Sequence, residues 1–396
     1  MDNMQPILLD GAMGTQLQSR GLPAGVCTEI WLSEHPEAVQ GVYAGYAAAG
    51  SQIIIAATFS ANPAALAAHQ AQDRAVELNR RMVALARASV PENVRIAGDM
   101  SPTGWLCQPL GEYSFEQIVD CYRVQAAALE EAGVDCFLIE TQMAISDIRA
   151  AMLAVREVSQ KPILVSVSVN PNGKTLYGCD AAAAMVIAQS MGASAFGFNC
   201  SSGPETMAQN VLRTAQYAKV PMIFEPNAGM PQTINGKTVY DCPAEAYTEP
   251  VPALYDAGVR YFGGCCGSSP VHISALRDAI AQLERKPFVP AEAEYLASER
   301  EVFPIPAQPL PVLSIAEAEE SDEEAFAIAL TEDSEPDELQ EIVSELDGPL
   351  CLYCADAALL EQALRLYQGR AAYAGGGIAS EQLAALQARY GLYLLP

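Results

Sequence analysis

The chain has 396 residues, 51% of them hydrophobic and 18% charged, with a formal net charge of −26. That length suits about two domains, the composition excludes a disordered chain, and the negative balance excludes binding nucleic acid through its phosphates. No unbroken apolar run of about 18 residues occurs, and the opening MDNMQPILLD lacks a basic segment leading into an apolar one. Neither a membrane partner nor a signal peptide is expected, and the cytoplasm is the expected location.

Short apolar runs alternate with longer segments of helical spacing. The strands are predicted at 6–10 (PILLD), 53–57 (IIIAA), 94–98 (VRIAG), 136–140 (CFLIE), 162–169 (PILVSVSV), 195–199 (AFGFN), 221–226 (PMIFEP) and 259–264 (VRYFGG). Between them lie segments such as SFEQIVDCYRVQAAALEEAG, which opens on Ser114 with Gln117 three residues on, the pattern of a capping box. Nearly continuous apolar strands are buried on both faces, as in parallel sheets. Eight strands, each followed by a helix, over residues 1–285 predict an α/β fold of the (β/α)8, or TIM barrel, type. An open doubly wound sheet is the alternative, but DGAMG after the first strand is not its GxGxxG fingerprint.

Residues 286–311 are proline-rich and read as a linker. Residues 312–396 read as a small α/β domain, with strands in PLCLYCAD, AAYAGG and GLYLLP and helices in AALLEQALRLYQG and ASEQLAALQARY. The acidic run over 317–347 reads as a solvated face.

Barrel chemistry gathers at the C-terminal ends of the strands. Those ends carry Asp10 after strand 1, Glu140 after strand 4, Cys200 after strand 6, Asn227 after strand 7, and Cys265 with Cys266 after strand 8. Adjacent cysteines are poorly placed for a mutual disulfide, and the chain's 11 cysteines are an odd number that suits a reducing compartment. Cys121 and Cys136 fall in apolar patterns and read as packing. Cys200, Cys265 and Cys266 converge at one mouth in the predicted barrel. Three thiolates with one open position suit zinc in a catalytic site; a buried pair without function is the alternative. Taken alone, Asp10 and Asn227 also suit turns, and Glu140 suits a structural ion pair.

ILLDGAMGTQLQSRGL, TFSAN, SPTG, FLIET, GFNCSSGPE, PNAGMP and GGCCG together resemble the signature blocks of the homocysteine S-methyltransferase family, in that family's order, from residue 6 to about 285. Within the family the chain is most similar to the N-terminal homocysteine-binding module of cobalamin-dependent methionine synthase. The resemblance implies Zn2+ on Cys200, Cys265 and Cys266, with the substrate thiol as fourth ligand and Asn227 beside the metal. It implies that Asp10 and Glu140 take the amino group of homocysteine and that the amides of Gly11 and Ala12 take its carboxylate. The expected activity is methyl transfer to the homocysteine thiol, giving methionine. The expected donor is methylcobalamin on a separate corrinoid protein, or a small methyl-onium compound. Two other readings stay open: a non-catalytic homocysteine-binding or regulatory subunit of a corrinoid system, and a methyltransferase for another thiol.

The chain departs from the family pattern at Ala57, where an asparagine is common, and in GDMSPTG, where Gly-Ser-Ile-Gly-Pro-Thr-Gly is common. AALLEQALRLYQGRAAY loosely resembles the start of a pterin-binding (folate-binding) barrel, but too little chain follows to close one. Folate binding is therefore not expected. The CLYC at 351–354 lies in a predicted strand, where positions i and i+3 face opposite sides, so a redox pair is not expected. AGGG at 374–377 reads as a turn, and His272 as a helix-start residue.

Overall fold

The computed structural model describes residues 5–234, 237–334, 338, 339, 343, 346 and 348–396. The chain falls into two compact units, residues 1–177 with 193–291, and residues 178–192 with 292–396. Part of the acidic run read as a solvated face lies outside the described residues.

The first unit is built on eight parallel strands: β1 (Ile7–Leu8), β2 (Ile53–Ile55), β3 (Arg95–Met100), β4 (Cys136–Gln142), β5 (Ile163–Val167), β6 (Ala195–Asn199), β7 (Met222–Glu225) and β8 (Val259–Phe262). All eight fall within the predicted runs or overlap them. Hydrogen-bonded neighbours follow the order β1-β8-β7-β6-β5-β4-β3-β2. At the seam between β1 and β2 the Gln52 amide donates to Leu8 O at 2.7 Å. Side chains complete it: Gln52 Oε1 accepts from Leu8 N, and Asp10 Oδ2 accepts from Ile55 N, both at 3.0 Å. Asp10 therefore helps to close the barrel that it also caps.

Leu9, Ile53, Ala97, Leu138, Leu164, Ala195, Ile223 and Tyr261, from or beside each of the eight strands, form one buried cluster inside the barrel. This explains the continuous apolar character of the strands: one face fills the interior and the other meets the helices. Burying an aliphatic side chain there is worth about 1.5–3 kcal/mol. The helix Phe115–Ala132 carries the predicted capping box, Ser114 Oγ accepting from Gln117 N at 3.2 Å and Gln117 Oε1 from Ser114 N at 2.8 Å.

The second unit has five parallel strands in sequential order, Val312–Leu313, Ala327–Leu330, Cys351–Cys354, Ala372–Gly375 and Tyr393–Leu394. It also contains the helix Ala181–Ser190, which follows β5 in sequence and is buried along nearly all its length; a helix apolar on every side suits such a position. The segment 286–311 is more ordered than a linker. Tyr295–Ala297 and Val302–Pro304 pair as an antiparallel hairpin, and Leu296 and Ala297 are fully buried. Burial of those two side chains outweighs the prolines around them. Cys351 and Cys354 are both buried in their strand, and Gly375, Gly376 and Gly377 all have positive φ, as a glycine turn requires. Among the described residues no helix is long and apolar enough to cross a membrane.

Candidate active site at the barrel mouth

Asp10, Gly11, Ala12, Glu140, Cys200, Cys265 and Cys266 line one cavity of about 280 Å³ at the C-terminal ends of the strands. Asn227 is buried beside it: its backbone amide donates to Ser202 O at 2.9 Å.

Backbone geometry aims the sulfurs. Cys200 and Ser201 follow β6 with φ of +59° and +56°, a left-handed conformation that side chains disfavour. The Cys200 amide is held by Glu225 O at 3.1 Å, and Ser202 N turns back to Cys200 O at 2.6 Å. After β8, Cys265 N donates to Pro226 O at 2.8 Å, and Cys266 O accepts from Ala228 N at 2.9 Å. Thr141, at the end of β4, is a third non-glycine with positive φ, at +58°. Strained residues of this kind collect at functional sites.

The three Sγ atoms lie within 4.8 Å of one another, with Cys200 and Cys266 at 4.0 Å. Zinc bound to sulfur at about 2.3 Å in a tetrahedron separates its sulfurs by about 3.8 Å. Asn227 Oδ1 is buried with no hydrogen-bond partner. Hydrogen bonds from Cys265 and Cys266 draw the Cys200 thiol far below its usual range, and those same bonds push Cys265 and Cys266 up. Thiolates bind a divalent cation far better than thiols do, so a cation held by these three sulfurs would displace their protons. The donor set fits zinc.

The same cavity holds a group of acids that sequence reasoning found only by half. Asp99 on β3 and Glu225 on β7 line the same cavity as Asp10 and Glu140. Asp99 hydrogen-bonds Glu140, and Asn199 Nδ2 donates to Glu140 Oε2 at 2.7 Å. Asn199 is itself held through Oδ1, which accepts from Thr141 N and Ser166 Oγ, each at 2.9 Å. Asp10 Oδ1, Asp99 Oδ1 and Glu225 Oε2 are buried with no partner. Burial raises Asp10, Asp99 and Glu225 well above the usual carboxylate range, and burial lifts Glu140 to about 7. Such acids hold their protons until a cation arrives. Asp99 in RIAGDM and Glu225 in MIFEP carried the signal used for Glu140, a lone acid ending an apolar strand.

The amide of Ala12 donates to Ser268 Oγ at 2.9 Å, so its hydrogen bond is spent inside the protein. Ala57 N donates to Tyr43 Oη at 2.7 Å, and its methyl lines the cavity where the family commonly has an asparagine.

An α/β barrel whose mouth gathers three thiols and four carboxyls has the layout of an enzyme with its active site at that mouth. The chain belongs to the homocysteine S-methyltransferase family, whose sequence model matches residues 7–280. It is 29% identical over 296 residues to the methionine synthase of Mycobacterium tuberculosis, covering 70% of this chain and 25% of that protein. The methionine synthase of Mycobacterium leprae is similar, at 29% over 293 residues, 69% of this chain and 24% of that protein. The chain therefore spans about a quarter of the length of these relatives. The homocysteine methyltransferase MmuM of Escherichia coli has a similar structure. Its metallated form superposes with a TM-score of 0.55 at 25% identity, covering 69% of this chain and 96% of that one. Its oxidized form gives a TM-score of 0.56 at 25% identity, covering 69% and 95%.

Proposed function

We propose that this protein methylates the thiol of homocysteine, giving methionine, with Zn2+ held by Cys200, Cys265 and Cys266. The observation that carries this reading is the convergence of those three sulfurs on one cavity with four buried carboxyls. When bound there, zinc supplies the Lewis acidity that keeps a thiol deprotonated at neutral pH. That the relative MmuM has a metallated form supports a metal in this protein.

The protein's own groups do the rest. Asp10 and Glu140 accept hydrogen bonds from the substrate ammonium, a charge-assisted pairing. Asn199 fixes Glu140 from behind. The amide of Gly11 offers a donor for the substrate carboxylate, while Ala12 keeps its bond to Ser268. Asn227 stands beside the sulfurs with its free Oδ1. The cavity, at about 280 Å³, is at the low end of small-molecule sites. It suits a small acceptor, with the methyl group delivered at the mouth. We read the donor as methylcobalamin on a separate corrinoid protein or a small methyl-onium compound, and the location as cytoplasmic. Residues 1–285 are read as the catalytic part.

The test pairs metal analysis with transfer of an isotopically labelled methyl group to homocysteine from each donor class. About one zinc per chain and labelled methionine from one donor are expected. Purified, folded protein without zinc would remove the metal from this reading. Homocysteine binding with no transfer from any donor would replace it with the regulatory reading.

A further inference from the structure

In the proposed reaction the acceptor is held at two points, its sulfur by the cysteine cluster and its ammonium by the acids. The distance between those points selects the thiols that reach a reactive geometry. One residue belongs to both. Asn199 ends β6, its backbone runs directly into Cys200, and its side chain reaches across to Glu140 on β4.

The Asn199 amide is fully buried, and every hydrogen-bonding position on it is taken. Nδ2 donates to Glu140 Oε2 and to Thr141 Oγ1, both at 2.7 Å. Oδ1 accepts from Thr141 N and from Ser166 Oγ, both at 2.9 Å. Two donors and two lone pairs are all that a primary amide offers. Its orientation is fixed as well, because a backbone N–H only donates, so Thr141 N has to face the oxygen.

This amide grips an irregular piece of strand. Ile139 pairs with Val165 and Gln142 with Val167, so Glu140 and Thr141 together stand against the single residue Ser166 on β5. A bulge of this kind re-aims a side chain. Thr141 takes φ of +58°, an outlier for a β-branched residue, and such strain persists only where the surroundings over-determine it. Asn199 and Ser166 supply that determination: three bonds of the amide fall on the two bulge residues, and the fourth goes to the serine that faces them. Glu140, Thr141 and Cys200 all line the cavity.

From this geometry we infer that Asn199 is a positioning residue for acceptor selection: its amide sets the β4 bulge, holds Glu140 at a fixed reach from Cys200, and so makes the site selective for thiols that carry an amino group. This rests on the reading above that Glu140 takes the homocysteine ammonium, and it holds whichever donor supplies the methyl group.

The test compares homocysteine with 4-mercaptobutanoate, the same thiol acid without its amino group, by calorimetric binding to the zinc-loaded full chain. Wild type should prefer homocysteine. Asn199→Ala should weaken homocysteine binding by at least about tenfold, the lower range for a hydrogen bond to a charged group. Zinc content and 4-mercaptobutanoate binding should stay unchanged. Should that variant fail to fold, Ser166→Ala carries the test. It withdraws a single bond from Asn199 Oδ1 and should cost about threefold in homocysteine binding alone, the size of a neutral hydrogen bond. Equal weakening of both thiols in a folded variant reveals a merely structural role and overturns the inference, as does homocysteine binding at wild-type strength. A wild type that binds the two thiols equally overturns the ammonium reading, and the inference with it.

Discussion

Cysteine pairs occur in both units of the molecule. Cys265 and Cys266 stand past the end of a barrel strand, on a turn bounded by Gly264 and Gly267, with their sulfurs beside Cys200. Cys351 and Cys354 lie inside a strand of the five-stranded sheet, where Cys351 joins an apolar cluster with Leu296, Ala327 and Ala372. Burial raises the Cys351 thiol to about 12, and Cys354 Sγ donates to Asp356 O at 3.1 Å. The same side chain is a candidate ligand in one setting and packing in the other. What separates them is backbone geometry: a strand sends i and i+3 to opposite faces, whereas a glycine turn brings neighbouring sulfurs onto one centre.

Substitution at each pair sharpens this contrast. Cys266→Ala should have the largest effect, weakening zinc binding by more than about 100-fold and abolishing methyl transfer while the fold persists. Competition against a chelator measures it, and retention of full zinc affinity would break the contrast. Glu140→Gln acts on the acid side of the same mouth. Homocysteine binding should weaken by about 2–5 kcal/mol, read by calorimetry, with zinc content unchanged. This variant also has a pH signature. The Glu140 carboxyl titrates near 7 in the fold, against an ordinary value of 4.5. The unfolded chain releases that proton at lower pH, so the contribution to stability is complete below pH 4.5 and is lost as pH rises toward about 7. Thermal melting of metal-free protein should show that decline, reduced in Glu140→Gln; a parallel curve for the variant would refute the assignment. Cys351→Ser should have the smallest effect on the site. It should lower stability by about 1–3 kcal/mol through a buried hydroxyl and leave zinc and homocysteine binding unchanged. A loss of zinc in this variant would erase the distinction between the pairs.

The barrel was legible because its signals are local. Eight apolar runs separated by helical spacing are visible without any long-range contact, and the capping box at Ser114 and Gln117 needs only four residues. The sulfur cluster was legible for a related reason: barrel strand ends face one mouth, so Cys200 and Cys266 become neighbours once the strand number is known. Asp99 and Glu225 were missed although they carried the signal that revealed Glu140. Tyr240 had no such signal, since its ring comes to its seat on Gly267 only once the chain after β7 has folded back. The hairpin Tyr295–Ala297 with Val302–Pro304 was masked by prolines that usually mark connecting chain.

Periodicity and residue type in the sequence alone determined the parallel barrel, the strand ends where chemistry collects, and the three sulfurs available there. Only the tertiary structure decided which residues meet at the mouth: Asp10 sealing the β1–β2 seam, Asp99 beside Glu140, and the Tyr240 ring seated against Gly267. The reason is that period and propensity act over a few residues, whereas these pairings join positions 27 to 45 apart whose distance is set by how loops and strands close in space.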